Sequence, residues 1–166
     1  SETNIFISDE TNWSTAGIRA DLARLKNSHE VGWVIIDYMN LLADRYGNDN
    51  NDRTAFISKQ LHNIAKDLDL AVLAIHSLNK RGMGGDLSKE NLSGSGSIAY
   101  DADAICFMVQ SGIDPLIIDL TWDKVREGDN NRTMSIRRVP GFPAFTQVAR
   151  LDQQKVEVVE VKKYWD

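Results

Sequence analysis

VGWVIIDYMNLL, residues 31–42, is the stretch on which the fold turns. It reads as a buried strand that delivers a single carboxylate, Asp37, to its carboxyl end. In an open α/β sheet that end is where ligands sit. A lone acid placed there is the arrangement with which a nucleotide-hydrolysing core holds Mg²⁺. Aspartate is also a common residue of the turn that follows a strand, so the run needs its neighbours to decide between a metal site and a turn.

The neighbours alternate strand and helix, the pattern of βαβ units and a largely parallel sheet. Upstream, NIFIS (4–8) predicts a short strand, and residues 14–25 carry Ile18, Leu22 and Leu25 at helical spacing. After the central strand, NDNND (48–52) predicts a polar, mobile loop. A second helix is expected over 53–68, with Phe56, Ile57, Leu61, Ile64, Ala65 and Leu68 on one face. LAVLAIHSL (70–78) predicts a strand buried on both sides. A long loop rich in Gly, Ser and Lys fills 79–96, and a short helical turn occupies 97–103. Strands follow at AICFMVQ (104–110) and at 116–124.

The last third changes character. RTMSIRRV, PAFTQVARL and KVEVVEV alternate polar and apolar residues, which predicts antiparallel edge strands. The expectation is an α/β fold in one domain over 1–166, with helices flanking a mostly parallel sheet and an antiparallel β-rich C-terminal part.

Composition limits what the chain does. Its 166 residues are one domain's worth, and 42% hydrophobic with 26% charged is ordinary globular composition. Nineteen basic against twenty-four acidic residues leave a net charge of -5. That excludes a protein that coats nucleic acid by overall charge, so any such contact is local. The single cysteine, Cys106, allows no internal disulfide and fits a reducing compartment; within AICFMV it reads as a packed strand residue. SETNIFISDE at the start is polar and acidic, unlike a signal peptide, and no apolar run is long enough to cross a membrane. A cytoplasmic location is expected.

Taken in order, VIIDYMNLL, AVLAIHSLNK, NLSGSGSIAYDADAICFMVQ and DLTWDKVREG resemble the carboxyl-terminal RecA-like motor of DnaB-like replicative helicases. The resemblance runs over about 4–148, leaving 149–166 as a C-terminal extension. SGSIAYDAD (95–103) is its most specific element. The resemblance implies a RecA-like P-loop NTPase core and the activity of a ring-forming, ATP-dependent helicase that unwinds duplex DNA by moving along single-stranded DNA.

Residue by residue, the resemblance puts Asp37 on the Walker B aspartate that supports Mg²⁺ at the β- and γ-phosphates, with Tyr38, Asn40 and Leu42 in the loop after it. Ser77 falls on the polar γ-phosphate sensor, where the family commonly has Gln or His. His76 stands one place early; neighbours on a strand face opposite ways, so it reads as a hydrogen-bonded strand-end histidine. The loop 79–96 falls where the family threads single-stranded DNA through a hexamer's channel. Its small residues let backbone N–H groups approach phosphates, and Lys80, Arg81 and Lys89 add positive charge. Ser93 stands where many relatives carry arginine, so the resemblance implies a grip that is either weaker or shared with Lys89 and Asn91, beside Gly94, Ser95 and Gly96.

Lys124 and Arg126 fall on the basic pair that reaches the neighbouring subunit's nucleotide. Two bases one residue apart on a strand share a face, and a planar guanidinium suits charge developing on a transferring phosphoryl group. Asp101 and Asp103 read as the end of the short helix, with a metal pair beside Asp37 as the alternative.

One family element is missing from this sequence: there is no GxxxxGK[ST] phosphate loop, and GMGGD (82–86) lacks its Lys-Ser/Thr. The chain therefore reads as the second half of a motor domain, either a fragment or a natural truncation that does not hydrolyse ATP unaided. ATP and Mg²⁺ are its implied cofactors in the complete motor; single-stranded DNA, other copies of the chain in a hexameric ring, and a primase or helicase loader are its implied partners. The competing readings are a non-catalytic RecA-like module docking on a helicase or recombinase ring, another RecA-like ATPase, and, more remotely, a carboxylate-metal nuclease.

Overall fold

Ser14 starts the first helix by accepting a hydrogen bond from the Gly17 N–H at 3.2 Å, so α1 runs Thr15–Ser28. The computed structural model describes residues 5–77, 95–112, 114–130 and 132–148. Contacts divide the chain into two units, Ser1–Ala102 and Asp103–Asp166.

In the first unit, α1 is followed by the strand β1 (Trp33–Ile36), a 3-10 turn (Met39–Leu41), the helix α2 (Asn50–Leu68), the strand β2 (Ala71–Ala74) and the short helix α3 (Ser95–Asp101). The helix α2 begins earlier than its apolar spacing predicts. Asp49 accepts from the N–H groups of Asn51 and Asp52, both at 2.8 Å, and Asp52 adds a carboxylate to the positive end of the helix. The stretch expected as a mobile loop, 48–52, is therefore mostly cap and first turn. Gly47, at φ +67, lies so close beneath it that a Cβ there would collide with the Asp52 side chain. At the other end Asp69 adopts the left-handed conformation, and the Lys26 ammonium of α1 donates to the carbonyls of Leu68 and Asp69.

The core of this unit comes from the apolar stripe of α2. Ile57, Leu61 and Ile64 pack with Leu22 of α1, Ile36 of β1 and Met39, Leu42 and Leu70 of the connecting segments. Ile57 and Ile64 are the most deeply buried side chains, each 1% exposed. Cutting either back to alanine costs about 2–5 kcal/mol.

β1 and β2 pair in parallel, with Trp33 opposite Ala71, Ile35 opposite Leu73 and Ile36 opposite Ala74. Alternation sends Val34, Ile36 and Val72 toward the helices and Trp33, Ile35 and Leu73 the other way. Those last three are 52–62% exposed. β2 is thus shorter than expected and covered on one face, because the helices of this unit among the described residues form a core with that face alone. Residues 5–8 carry no strand either. An apolar run becomes a strand only when a neighbour takes its backbone hydrogen bonds, and Ile5 and Ile7 stay exposed.

Among its described residues the second unit is a four-stranded antiparallel sheet, β3 (Ala104–Gln110), β4 (Ile117–Val125), β5 (Arg132–Arg138) and β6 (Phe145–Val148), in sequence order. Cross-strand polar pairs pin its register. Thr121 and Thr133 face each other with hydroxyls 3.1 Å apart, and Ser135 donates to the Asp119 carboxylate at 2.6 Å. Antiparallel pairing therefore begins at β3, not only in the last third. Strands joined by short turns, as at 111–116, pair antiparallel, whereas parallel neighbours need a crossover of a dozen residues or more. The expected strand KVEVVEV lies outside the described residues. Cys106 is not packed as expected but lies on the open face of β3 with Ala104 and Met108, while Ile105 and Phe107 are buried.

Among the described residues, no helix is long and apolar enough to cross a membrane.

Candidate functional site

The carboxyl end of the β1–β2 pair gathers several of the residues singled out by the sequence. Asp37 follows the last residue of β1 and is exposed there; the Asp37–Tyr38 peptide is cis. Ser77 lies three residues past the end of β2. The Ile75 N–H donates to the Ile36 carbonyl and the Met39 N–H to the Ile75 carbonyl, both at 2.9 Å, so the two chain segments stay joined beyond the strands. Asn40 closes the gap: its Nδ2 donates to the Ser77 Oγ at 2.8 Å. The loop that carries the carboxylate and the segment that carries the hydroxyl are therefore one hydrogen-bonded assembly.

His76 has a different job from Ser77. Its Nδ1 lies 2.7 Å from the Ser77 carbonyl oxygen. A carbonyl only accepts, so this nitrogen carries the proton. The ring is a strand-end hydrogen-bond donor to the backbone.

The floor of the site is held from below by residues that sequence reasoning does not single out. Arg53, in the first turns of α2, donates through Nε to the Asp44 carbonyl at 2.8 Å and through its terminal nitrogens to the carbonyls of Asn40 and Leu42. Asp44 in turn accepts from the N–H and the hydroxyl of Thr15, at 2.9 and 2.6 Å, tying the loop to the start of α1. A cation near a helix N-terminus opposes the helix dipole. That misfit is the available signal that Arg53 serves the loop rather than its own helix.

Asp101 ends α3 facing α2. It accepts from the Ser58 hydroxyl at 2.9 Å, lies 3.7 Å from the Lys59 ammonium, and its carbonyl is 2.9 Å from His62 Nδ1. Asp103 pairs with Arg126. Both acids of the DAD triplet thus have cationic partners. Among the described residues no group of three or more His, Cys, Asp or Glu side chains is placed to hold a metal.

Lys124 is a residue of β4, but the strand ends at Val125 and Arg126 opens the turn that follows. The expected same-face pair on one strand is therefore not formed. A bulge between Ile105 and Cys106 also shifts the β3–β4 register just before Lys124, which stands opposite Ile105. Of the nucleic-acid residues expected in the long loop, Lys80, Arg81, Lys89, Asn91, Ser93 and Gly94 lie outside the described residues. Ser95 and Gly96 open α3.

A parallel strand pair with an acid at its carboxyl end, helices packed on it and an antiparallel sheet following in sequence define an α/β domain of the RecA-like ATPase class. The solved structures agree on that fold. One solved ATPase domain superposes with a TM-score of 0.73 at 24% identity, covering 82% of this chain and 52% of that one. A DnaB-like replicative helicase, solved in a study of its interactions with primase, superposes with a TM-score of 0.69 at 25% identity, over 80% of this chain and 34% of that one.

Residues 1–135 match the DnaB-like helicase C terminal domain, and the chain belongs to that family. It is 28% identical over 166 residues to the replicative DNA helicase DnaC of Bacillus subtilis (strain 168), covering 90% of this chain and 35% of the relative. It is 32% identical over 117 residues to the replicative DNA helicase DnaB of Rickettsia bellii (strain RML369-C), covering 65% of this chain and 22% of the relative. The chain thus spans about a third or less of the length of these curated relatives.

Proposed function

We propose that this chain is part of the motor of a ring-forming, ATP-driven replicative DNA helicase that moves along single-stranded DNA. The observation that carries the reading is the strand-end assembly of Asp37, Asn40 and Ser77 in a chain of the DnaB-like family. A solitary exposed carboxylate fits Mg²⁺ presented with a nucleotide. That ion keeps several waters and takes one or two protein carboxylates together with substrate phosphates, rather than a cage of protein ligands. When bound, it would neutralise charge on the transferring phosphoryl group.

This chain's own residues then have separable roles. Asp37 supports the metal at the phosphates, and Ser77 contacts the terminal phosphate. Lys124 and Arg126 act on the nucleotide of the next subunit in a hexameric ring, where an arginine supplied from a partner stabilises the transition state. Lys80, Arg81 and Lys89 give single-stranded DNA its phosphate contacts, and Asn91, Ser93, Gly94, Ser95 and Gly96 let the backbone approach it. The remaining phosphate contacts come from a phosphate loop elsewhere in the complete motor. A primase or a helicase loader is the protein partner this role calls for.

Asp37→Asn in the full-length protein tests the reading. The substitution keeps the volume of the side chain and removes its charge. ATP hydrolysis should fall to background while ring assembly, read by size-exclusion chromatography with light scattering, stays unchanged. Hydrolysis near the parent rate would make Asp37 an ordinary turn residue.

A further inference from the structure

Asn40 links the two halves of the strand-end assembly through side chains, and the direction of its hydrogen bond has a chemical consequence. Its Nδ2 donates to the Ser77 Oγ at 2.8 Å, while its Oδ1 is buried and has no hydrogen-bond partner among the described residues. Turning the amide over would bury two N–H donors in place of one oxygen. Orphaned buried N–H groups are the rarer and costlier case, so the observed orientation is the favoured one. A serine hydroxyl has one hydrogen to donate. With Asn40 filling an acceptor position on Oγ, that hydrogen points to some other group.

The rest of the site holds this arrangement still. Arg53 fixes the backbone of Asn40 through its carbonyl oxygen, and the carbonyl of Ser77 receives the His76 ring. Ser77 is exposed at the carboxyl end of the parallel pair, where α/β sheets present ligands.

We propose that Asn40 is a positioning residue that presets the Ser77 hydroxyl as a hydrogen-bond donor to the terminal phosphate of a nucleoside triphosphate. The inference rests on the placing of Ser77 at the nucleotide under Proposed function and goes beyond it by naming what makes that serine a donor. Glutamine carries its own N–H donors, whereas a serine hydroxyl is free to rotate toward either a donor or an acceptor. Locking it from behind gives a short side chain the polarity that a phosphate sensor needs. Because the contact is to the terminal phosphate alone, its effect appears for the triphosphate and vanishes for the diphosphate.

The test is a double-mutant cycle in the full-length protein, reading the affinity for ATPγS relative to ADP, each with Mg²⁺, by displacement of a fluorescent nucleotide. Ser77→Ala should lower the preference for ATPγS by about tenfold, the low end for a hydrogen bond to a charged group. Asn40→Ala should lower it by roughly fivefold, the scale of one neutral hydrogen bond, with ADP affinity unchanged. In the Ser77→Ala background, Asn40→Ala should add almost nothing. Asn40→Asp keeps the shape of the side chain if the alanine variant folds poorly. It only accepts when ionised, so its loss of preference should be larger with Ser77 present than in the Ser77→Ala background, where the added charge acts alone. An unchanged preference in Ser77→Ala would remove Ser77 from the nucleotide and overturn the site reading itself. A loss in Ser77→Ala with none in Asn40→Ala, or losses that simply add, would overturn the role of Asn40 and leave that of Ser77 standing.

Discussion

Arg126 is tied to Asp103 twice: its guanidinium lies 2.9 Å from the Asp103 carboxylate, and its backbone N–H donates to the Asp103 carbonyl at 2.8 Å. The acid closing the DAD triplet and the second base of the KxR triplet, 23 positions apart in sequence, form one unit at the end of the β3–β4 pair. Both side chains are more than half exposed, so the ion pair is weak and exchangeable. An arginine held this way is aimed without being locked, which suits a group that has to engage a second molecule.

If Arg126 acts across a subunit boundary, Arg126→Ala in the full-length protein should leave nucleotide binding nearly intact. Hydrolysis should drop by roughly 10³ or more, the scale of an arginine supplied from a partner. Mixing subunits carrying Arg126→Ala with subunits carrying Asp37→Asn separates this from a local defect. Each change spoils a different side of the shared junction, so some junctions in mixed rings keep both groups and should regain activity. Mixed rings that form, as judged by differential tagging, yet recover nothing would put Arg126 outside the reaction.

The segment 79–96, expected as a loop from its sequence, supports an independent prediction. Lys80→Ala combined with Lys89→Ala should weaken binding of single-stranded DNA by the assembled protein. Each lost phosphate contact should lower the slope of log affinity against log salt by about 0.7. A fluorescence-anisotropy titration across salt concentrations reads both quantities. A slope equal to that of the parent protein would place the two lysines away from the nucleic acid.

How much of this is legible in the sequence depends on whether the signal is local. Ser14, Leu22, Ile57 and Ile64 announce their helices because capping and a 3.6-residue period are written in adjacent residues. AICFMVQ predicts β3 to the residue. Asp49 reads as loop because its capping role rests on one side-chain oxygen accepting from the next turn, and NDNND looks like a turn in any setting. Pairing partners are not legible: AICFMVQ and the strand after it read as parallel core strands, yet their antiparallel registry follows from the short turn between them. At the site, Asp37 stands out by its position at the end of an apolar strand, whereas Ser77 is singled out by the family resemblance alone. Their linkage through Asn40 spans 37 positions, and Arg53 supports carbonyls of a loop that precedes it; neither relationship leaves a trace in residue spacing.

Cys106 yields a prediction with a defined sign. It lies on the open face of β3, and partial burial of its thiol raises its pKa above the ordinary value. The raised pKa means that the folded state holds the proton more tightly than the unfolded chain. The associated stabilisation is complete below the unfolded thiol's pKa and is lost as pH rises through the folded one. Alkylation by iodoacetamide, which needs the thiolate, should therefore be slower in the native protein than in the urea-unfolded chain at pH of about 8, just under the ordinary thiol pKa. Its rate should also reach half-maximum at a higher pH. Equal midpoints in the two states would mean that the thiol feels no desolvation.

Arg53 gives the most direct probe of how the site is held. Its guanidinium supplies the carbonyls of Asn40, Leu42 and Asp44 with donors, a fork of fixed geometry that one ammonium cannot reproduce. Arg53→Ala leaves those part-buried oxygens short of partners, at about 1–3 kcal/mol for each group that water does not reach. The consequence should be local opening of the loop before any global unfolding. The amides to watch are Met39, which donates to the Ile75 carbonyl, and Ala43, which donates to the Trp13 carbonyl at 2.7 Å. Both should exchange with solvent at least tenfold faster in Arg53→Ala, since about 1.4 kcal/mol of lost local stability corresponds to a factor of ten. Arg53→Lys should recover less than half of that protection, whereas the amides of α2 around Ile64, fixed by the apolar core, should exchange as before. Unchanged exchange at Met39 and Ala43 would mean that the loop stands without Arg53, and that the hydrogen bonds between the Ile36 and Ile75 segments, with the Asn40–Ser77 contact, are enough to keep Asp37 and Ser77 together.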